Sequence, residues 1–295
     1  MSVHTSVNET KPSAEAPPVA GVAPPKAIIK PRRGWQALEL GELWRHRELL
    51  WFLAWRDIKL RYKQTALGVG WAVLQPLLTM IVFWVIFGRL AGLSSDGFPY
   101  PVFVLCALLP WQLFSYALTQ SSNSVVAEQR LVTKVYFPRL ILPLASVLSG
   151  LVDFLITLVL LIAFMLANKV YPAWTIVTIP LFALLALATA LSVGVWLSAL
   201  TVKYRDVRYT LPFLTQFWMF ASPVAYSSSL IPEEWRALYG LNPMAGVIEG
   251  FRWALLGSAE CSWGTLAVST LTVTMLIVSG FYYFRRMERA FADVV

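Results

Sequence analysis

The chain has 295 residues, of which 58% are hydrophobic and 14% charged, and its mean hydropathy is +0.63. This composition excludes an ordinary soluble domain, and the length allows several membrane spans. A net charge of +8 could indicate nucleic-acid binding, but the cations lie at the ends of apolar segments rather than in one patch. We therefore expect no nucleic-acid partner.

The first 34 residues are rich in Pro, Ala, Ser and Val, and no long apolar stretch follows their first charges. They are typical neither of a signal peptide nor of a transit peptide. We expect residues 1–34 to form a disordered cytoplasmic tail and residues 35–295 to form one transmembrane domain.

A basic amphipathic segment, WFLAWRDIKLRYKQTALG, begins at Trp51 and leads directly into an apolar stretch. At 3.6 residues per turn, its aromatic residues share one face and its cations the opposite face. This pattern predicts a helix in the membrane surface with its cations at anionic headgroups. A soluble helix docked on a neighbour is the alternative. The apolar face comprises Trp44, Trp51, Trp55, Ile58 and Tyr62, and the basic face comprises Arg45, Arg56, Lys59 and Lys63.

Six apolar segments follow, each close to the ~20 residues that a bilayer core requires. Together they predict an all-α integral membrane protein with six transmembrane helices. The segments run approximately over Val69 to Phe87, Tyr100 to Leu118, Leu140 to Ala167, Trp174 to Thr201, Tyr209 to Ala225 and Thr265 to Phe284.

The distribution of Lys and Arg predicts the orientation of these spans. Twenty of the 24 fall on the side that carries both termini, and only Arg89, Lys169, Arg236 and Arg252 fall on the other. Because cations are retained on the cytoplasmic side during insertion, we expect both termini to be cytoplasmic.

Proline interrupts the predicted spans at Pro76, Pro110, Pro212 and Pro223. A proline frees a carbonyl that lipid cannot satisfy, so these positions commonly face protein or a water-filled cavity. Any one of them is equally consistent with an ordinary packing kink. Four together favour a cavity.

The loop between the fifth and sixth spans contains two short amphipathic runs, separated by the turn signal Gly240–Pro243. It predicts two re-entrant half-helices on the outer side, which are tolerated where they are buried in protein or line a cavity. A loop lying flat on the surface is the alternative. Glu249 and Arg252 stand three apart, which predicts a structural ion pair.

Aromatic residues are abundant in and beside this loop. Their faces can stack on the C–H faces of sugar rings, as a sliding sugar polymer would require. An interfacial belt that anchors the protein in the membrane is the alternative. The candidate glycan-contacting aromatics are Tyr226, Trp235, Tyr239, Phe251 and Trp253.

The sequence offers little for catalysis. The histidines are His4 and His46, and Asp153 is the one acidic residue well inside a predicted span. Asp153 could serve a proton relay or simply bond to Ser or Thr on a neighbouring helix. A GxxxxGK[ST] phosphate-binding loop does not occur. We expect no catalytic residues and no metal site in this chain.

Five separated stretches, in this order, resemble the permease subunit of ABC-2 type exporters of polysaccharides such as O-antigen, capsule and teichoic acid. They are RDIKLRYKQTALGVGWAVLQPL, FPRLILPL, VKYRDVRY, SPVAYS and LNPMAGVIEGFRWALLG. The resemblance implies a homodimer in the bacterial inner membrane, bound to two copies of a nucleotide-binding ATPase subunit. This partner would bind ATP and Mg, leaving no cofactor in this chain, and the cargo would be an undecaprenyl-pyrophosphate-linked polysaccharide.

The resemblance also implies roles for particular residues. The basic segment corresponds to an amphipathic gate helix at the cytoplasmic mouth, where the pyrophosphate would meet Arg56, Lys59, Arg61, Tyr62 and Lys63. A short helix between the second and third spans would dock on the ATPase, although an interfacial turn would look similar. Its docking residues would be Glu128, Arg130, Leu131 and Lys134.

The two outer half-helices would close the channel. Three alternatives stay open at this point: an ABC-2 exporter of another lipid or a drug, a membrane glycosyl- or acyltransferase, and an ion-coupled transporter. The last two are disfavoured, because paired carboxylates near a membrane face and an inverted repeat are both missing from the sequence.

Overall fold

The computed structural model describes residues 40–63, 69–257 and 263–294, so the predicted tail lies outside the described residues. Every regular element within these ranges is helical. The helices are α1 (Leu40–Arg45), α2 (Arg47–Lys63), α3 (Val69–Phe83), α4 (Tyr100–Ala127), α5 (Gln129–Lys134), α6 (Ile141–Leu148), α7 (Gly150–Ala167), α8 (Ile179–Lys203), α9 (Val207–Phe220), α10 (Glu233–Tyr239), α11 (Pro243–Leu256) and α12 (Trp263–Val294).

Five helical segments of the described chain are long and apolar enough to cross a membrane. The prediction of an all-α, multi-pass membrane protein is thereby confirmed. Helix α3 continues as a π-helical segment, and α6 and α7 together form one span with a break at Ser149. The five segments are Gly70–Leu90, Tyr100–Ala127, Ile141–Ala167, Trp174–Lys203 and Trp263–Glu288.

The predicted fifth span is shorter than the sequence indicated. Helix α9 ends at Phe220 rather than near Ala225 and has 14 residues, about 21 Å at 1.5 Å per residue, against a hydrocarbon core of about 30 Å. Pro223 follows closely and cannot continue the helical hydrogen bonds. A count of six spans therefore stays a prediction.

Helix α4 is the central helix of the fold, with 78% of its most apolar window buried, against 17% for Gly70–Leu90. It packs most extensively on α8. Small residues allow the close approach: a Cβ built on Gly194 of α8 would lie 2.5 Å from the hydroxyl oxygen of Ser121 on α4. Close packing of small residues is how membrane helices associate without a hydrophobic driving force.

Helix α2 is docked on the protein along one side. Leu53 and Ala54 are buried in a cluster that also contains Val132 and Phe284, and α2 packs against α6. The opposite side leaves Trp51 67% exposed. The docked-helix alternative therefore describes one face of α2, and the exposed aromatic face still fits the predicted membrane surface.

Candidate functional site

The C-terminal end of α2 is joined to the start of α7 by an ionic cluster. Arg61 forms an ion pair with Asp153, and the Tyr62 hydroxyl donates a hydrogen bond to the same carboxylate. Burial raises the pKa of Tyr62, and the bond to Asp153 raises it further, so the phenol remains a donor. The Arg61 guanidinium also lies 4.2 Å from the centre of the Tyr116 ring on α4.

One turn earlier, α2 is joined to the end of α4. Arg56 forms an ion pair with Glu128, which lies between α4 and α5, and donates to Asp57 at 2.8 Å. Burial lowers the pKa of Arg56, but its hydrogen bonds to Glu128 and Asp57 outweigh that effect and the pKa is raised. Lys59 and Lys63 are exposed. The four cations predicted to meet the pyrophosphate thus divide into two arginines that bind carboxylates of the fold and two lysines that are exposed.

A cavity of about 410 Å³ opens beside this cluster, between α3, α4 and α7. Arg61, Tyr62 and Asp153 lie at its edge. Gln75 and Pro76 of α3 and Trp111 and Gln112 of α4 also line it. Of the four prolines predicted to face protein or a cavity, Pro76 lines this cavity and Pro110 is buried beside it.

Helix α5 rests on the protein through Val132, which is buried, while Arg130 and Lys134 are exposed and Leu131 is half-buried. Glu128 differs from its neighbours. Its side chain is 24% exposed and is directed to Arg56, so it is less accessible to a docking partner than Arg130 and Lys134.

The loop between α9 and α12 forms a two-helix hairpin of α10 and α11. Helix α11 is buried against α4, α8 and α12, which agrees with the predicted burial of this backbone in protein, and α10 is largely exposed. Asn242 begins α11: its side-chain oxygen accepts from the Met244 amide at 3.1 Å and the Trp218 indole at 2.9 Å. Its amide nitrogen donates to the Ala221 carbonyl and the Ser222 hydroxyl. The hairpin is therefore tied to the end of α9.

The sequence predicted an ion pair between Glu249 and Arg252; their charges attract each other, but the hydrogen bonds of Arg252 are made to other groups. Arg252 is 5% exposed and donates instead to the carbonyls of Val224 and Tyr226, each at 3.2 Å, with its guanidinium 3.7 Å from the Phe103 ring centre. These carbonyls lie in the irregular stretch after α9, where the helix no longer supplies donors. Burial lowers the pKa of Arg252 to about 10, which leaves it charged at neutral pH.

The predicted channel aromatics divide into exposed and buried groups. Phe251 is fully buried, with its ring 6.0 Å from Phe154 in an edge-on arrangement, so in this conformation it is a core residue and not a channel surface. Trp253 is half-buried and packs edge-on against Trp263. Trp235 is 58% exposed.

Tyr226 and Tyr239 are joined through their hydroxyls at 2.9 Å and are half-buried. Together with the exposed Trp235 and the half-buried Trp253, they are the predicted aromatics that keep surface outside the core. A role in glycan contact stays a prediction for all of them.

Residues 48–256, which run from α2 to the end of the hairpin, match the family described as ABC-2 type transporter. The chain belongs to the ABC-2 type transporter family. Like other members it is a permease, the membrane component of an exporter, which confirms the family prediction.

Three curated relatives are similar to 80–84% of this permease. The O-antigen export system permease protein RfbA of Myxococcus xanthus is 32% identical over 255 residues, covering 84% of this chain and 96% of the relative. RfbA of Klebsiella pneumoniae is 28% identical over 249 residues, covering 84% and 95%. The polysialic acid transport protein KpsM of Escherichia coli is 26% identical over 243 residues, covering 80% and 92%.

Two features of the permease escaped the sequence reasoning. Asp153 contacts Arg61 and Tyr62, which are far from it in the chain, so the helical periodicity of the sequence could not predict this contact. A polar face on α4 does have a signal, because Gln112, Ser115 and Thr119 follow helical spacing inside an apolar span.

Proposed function

We propose that this permease exports a lipid-linked polysaccharide, an O-antigen-like or related glycan on undecaprenyl pyrophosphate, from the cytoplasm across the inner membrane. The observation that carries the proposal is the likeness to RfbA of M. xanthus, which extends over 96% of that protein. Similarity at this coverage includes α2, α5 and the hairpin as well as the apolar spans. The likeness to KpsM, named for polysialic acid transport, supports a polysaccharide cargo rather than a small drug.

The energy would come from a separate subunit. Two copies of an ATPase that binds ATP and Mg would act on a permease homodimer, with both termini of each permease in the cytoplasm. The exposed cations of α5, Arg130 and Lys134, support a docking role for that helix, since a partner can reach them.

The end of α2 would receive the pyrophosphate. Lys59 and Lys63 are exposed and available to a phosphate, which favours charged donors. Arg56 and Arg61 already bind carboxylates, so a phosphate would have to compete with Glu128 and Asp153 for them. The two lysines are therefore the first contacts we expect.

Deletion of the gene tests the proposal. Surface labelling of polysaccharide beside a whole-cell extract should show complete polymer trapped inside the cell, with export restored by the wild-type gene. Complementation with a Lys59→Gln, Lys63→Gln double variant should restore export only in part. Absent or chemically altered polymer would indicate a membrane transferase instead, and unchanged surface polymer would refute this cargo.

A further inference from the structure

One stripe of α4 that faces the 410 Å³ cavity is polar along more than two turns, beside the apolar lining residues Leu108, Leu109, Trp111 and Leu113 of the same helix. Gln112, Ser115, Tyr116, Thr119 and Gln120 stand at the spacing i, i+3, i+4, i+7 and i+8, and all of them line the cavity. The other sides of this helix are largely buried and apolar. Polar groups within a membrane span are costly unless they have partners, so a continuous polar face points to a function.

Three amides in the cavity have unused hydrogen-bonding capacity. Within the described part of the chain, the side chains of Gln75, Gln112 and Gln120 make no hydrogen bond. The hydroxyls beside them differ: Thr79 and Thr119 donate to backbone carbonyls of their own helices, at 2.9 and 2.8 Å. Each glutamine can donate two hydrogen bonds and accept at its oxygen. The cavity therefore offers both donors and acceptors to a ligand.

The remaining walls supply aromatic faces and one charged edge. Trp71, Trp111 and Phe154 line the cavity, and Asp153 with Arg61 borders it on the α2 side. Sugars need this combination, because their C–H faces stack on aromatic rings while their hydroxyls exchange hydrogen bonds with amides and carboxylates. An apolar drug would leave the half-buried amide of Gln112 without a partner, at a cost.

We propose that this cavity within one subunit binds one or two sugar units of the cargo, those next to the lipid pyrophosphate. The inference rests on the proposed function, because it places the lipid phosphate at α2 and the first sugars behind it. A volume of about 410 Å³ lies within the range of roughly 300–1,000 Å³ typical of small-molecule sites. The permease would then recognise the reducing end of the glycan as well as its phosphate.

Binding of two probes to the purified full-length permease in nanodiscs tests the proposal. One probe is a polyprenyl pyrophosphate that carries a neutral disaccharide, and the other is the same lipid without sugar. The wild type should bind the first more tightly. Gln112→Leu should reduce the affinity for the sugar-bearing probe about three- to tenfold, the effect of one or two lost hydrogen bonds, and leave the sugar-free probe unchanged.

A matched pair of threonines controls for local effects. Thr119 faces the cavity and Thr274 lies on the exposed side of α12, and each hydroxyl donates at 2.8 Å to the carbonyl four residues earlier in its helix. Thr119→Val should lower the affinity for the sugar-bearing probe and leave the affinity for the sugar-free lipid unchanged, whereas Thr274→Val should change neither affinity. Unchanged binding of the sugar-free lipid shows that each variant is folded.

Two results would overturn the sugar site and leave the export proposal intact. They are equal wild-type affinity for the two probes, as expected of a cavity that holds only water, and wild-type affinity of Gln112→Leu for the sugar-bearing probe. If the wild type binds neither probe, the lipid-linked cargo itself is wrong and the sugar site fails with it.

Discussion

Replacing Glu128 by Gln would remove the charge that joins α2 to the end of α4 while keeping the shape of the side chain. Arg56 would retain Asp57 at 2.8 Å, so its charge would not be left without a partner. The change therefore isolates the link between the two helices from the general cost of exposing or burying an arginine.

The expected coupling energy between Arg56 and Glu128 depends on how deeply the pair is buried. Arg56 and Glu128 are 31% and 24% exposed, between a surface pair worth about 0.2–1 kcal/mol and a buried pair whose disruption costs about 3–5 kcal/mol. Because Asp57 continues to neutralise Arg56, we expect a coupling energy of about 1 kcal/mol between positions 56 and 128. In a protein of this size, that corresponds to a Tm lower by roughly 2–4 °C for Glu128→Gln.

Thermal unfolding of Glu128→Gln, Arg56→Gln and the double variant in detergent gives the coupling energy as a double-mutant cycle. With the partner ATPase in proteoliposomes, Glu128→Gln should also reduce glycan-stimulated hydrolysis more than basal hydrolysis, since α5 begins at the next residue. Glu48→Gln, on an exposed position of α2, is the matched control. A coupling energy near zero, or a Tm equal to that of the control, would refute the reasoning.

Three further predictions concern the hairpin. Phe251→Ala should lower the free energy of unfolding by about 3–5 kcal/mol because the ring is fully buried, whereas Trp235→Ala should change it by no more than about 0.5 kcal/mol. Equal shifts in Tm would contradict the burial of Phe251 and the exposure of Trp235. Asn242→Ala should lower the free energy of unfolding by about 2–3 kcal/mol, because it removes a helix cap and the bonds to α9. Limited proteolysis should then cut residues 221–242 faster than in the wild type, and an unchanged cleavage rate would contradict this role of Asn242. Burial raises the pKa of Glu249 above its ordinary value of 4.5, so its charged form destabilises the fold above that pH and the effect disappears below it. Glu249→Gln should therefore raise the Tm at pH 7.5 and less so toward pH 4.5; a gain independent of pH would exclude this cause.

Apolar length was enough to predict most of the fold. The five long spans stand near their predicted positions because the bilayer requirement for about 20 apolar residues is met by local sequence alone. The predicted end of α9 was too late because hydropathy continues to Ala225, whereas the helix ends at Phe220 and the Ala221 carbonyl is bonded by Asn242 at the turn between α10 and α11. A distant side chain decided this boundary.

The site was predicted in its residue types more than in its contacts. Because they are three residues apart, Glu249 and Arg252 were correctly placed on one side of α11. The carbonyls of Val224 and Tyr226, which accept from Arg252, are distant in the chain, so helical spacing could not predict these bonds. Likewise, the cations of α2 were found by composition, while their division between carboxylates and solvent depends on Glu128 and Asp153, which are brought near only by folding.

The length of α4 has a mechanical consequence. Its first turn is bonded to the irregular stretch between α9 and the hairpin, because the Tyr100 hydroxyl donates to the Ala225 carbonyl at 2.6 Å, and its last turn leads to Glu128 and α2. With 28 residues it is about 42 Å long. If it tilts as a lever about the contact of Ser121 with Gly194 of α8, its first residue lies about 32 Å from the pivot and its last about 9 Å, so 5° of rotation moves these ends in opposite directions by about 3 Å and about 1 Å. A displacement of the α2 end of α4 would then move the opposite end of the helix, near the hairpin, in the opposite direction.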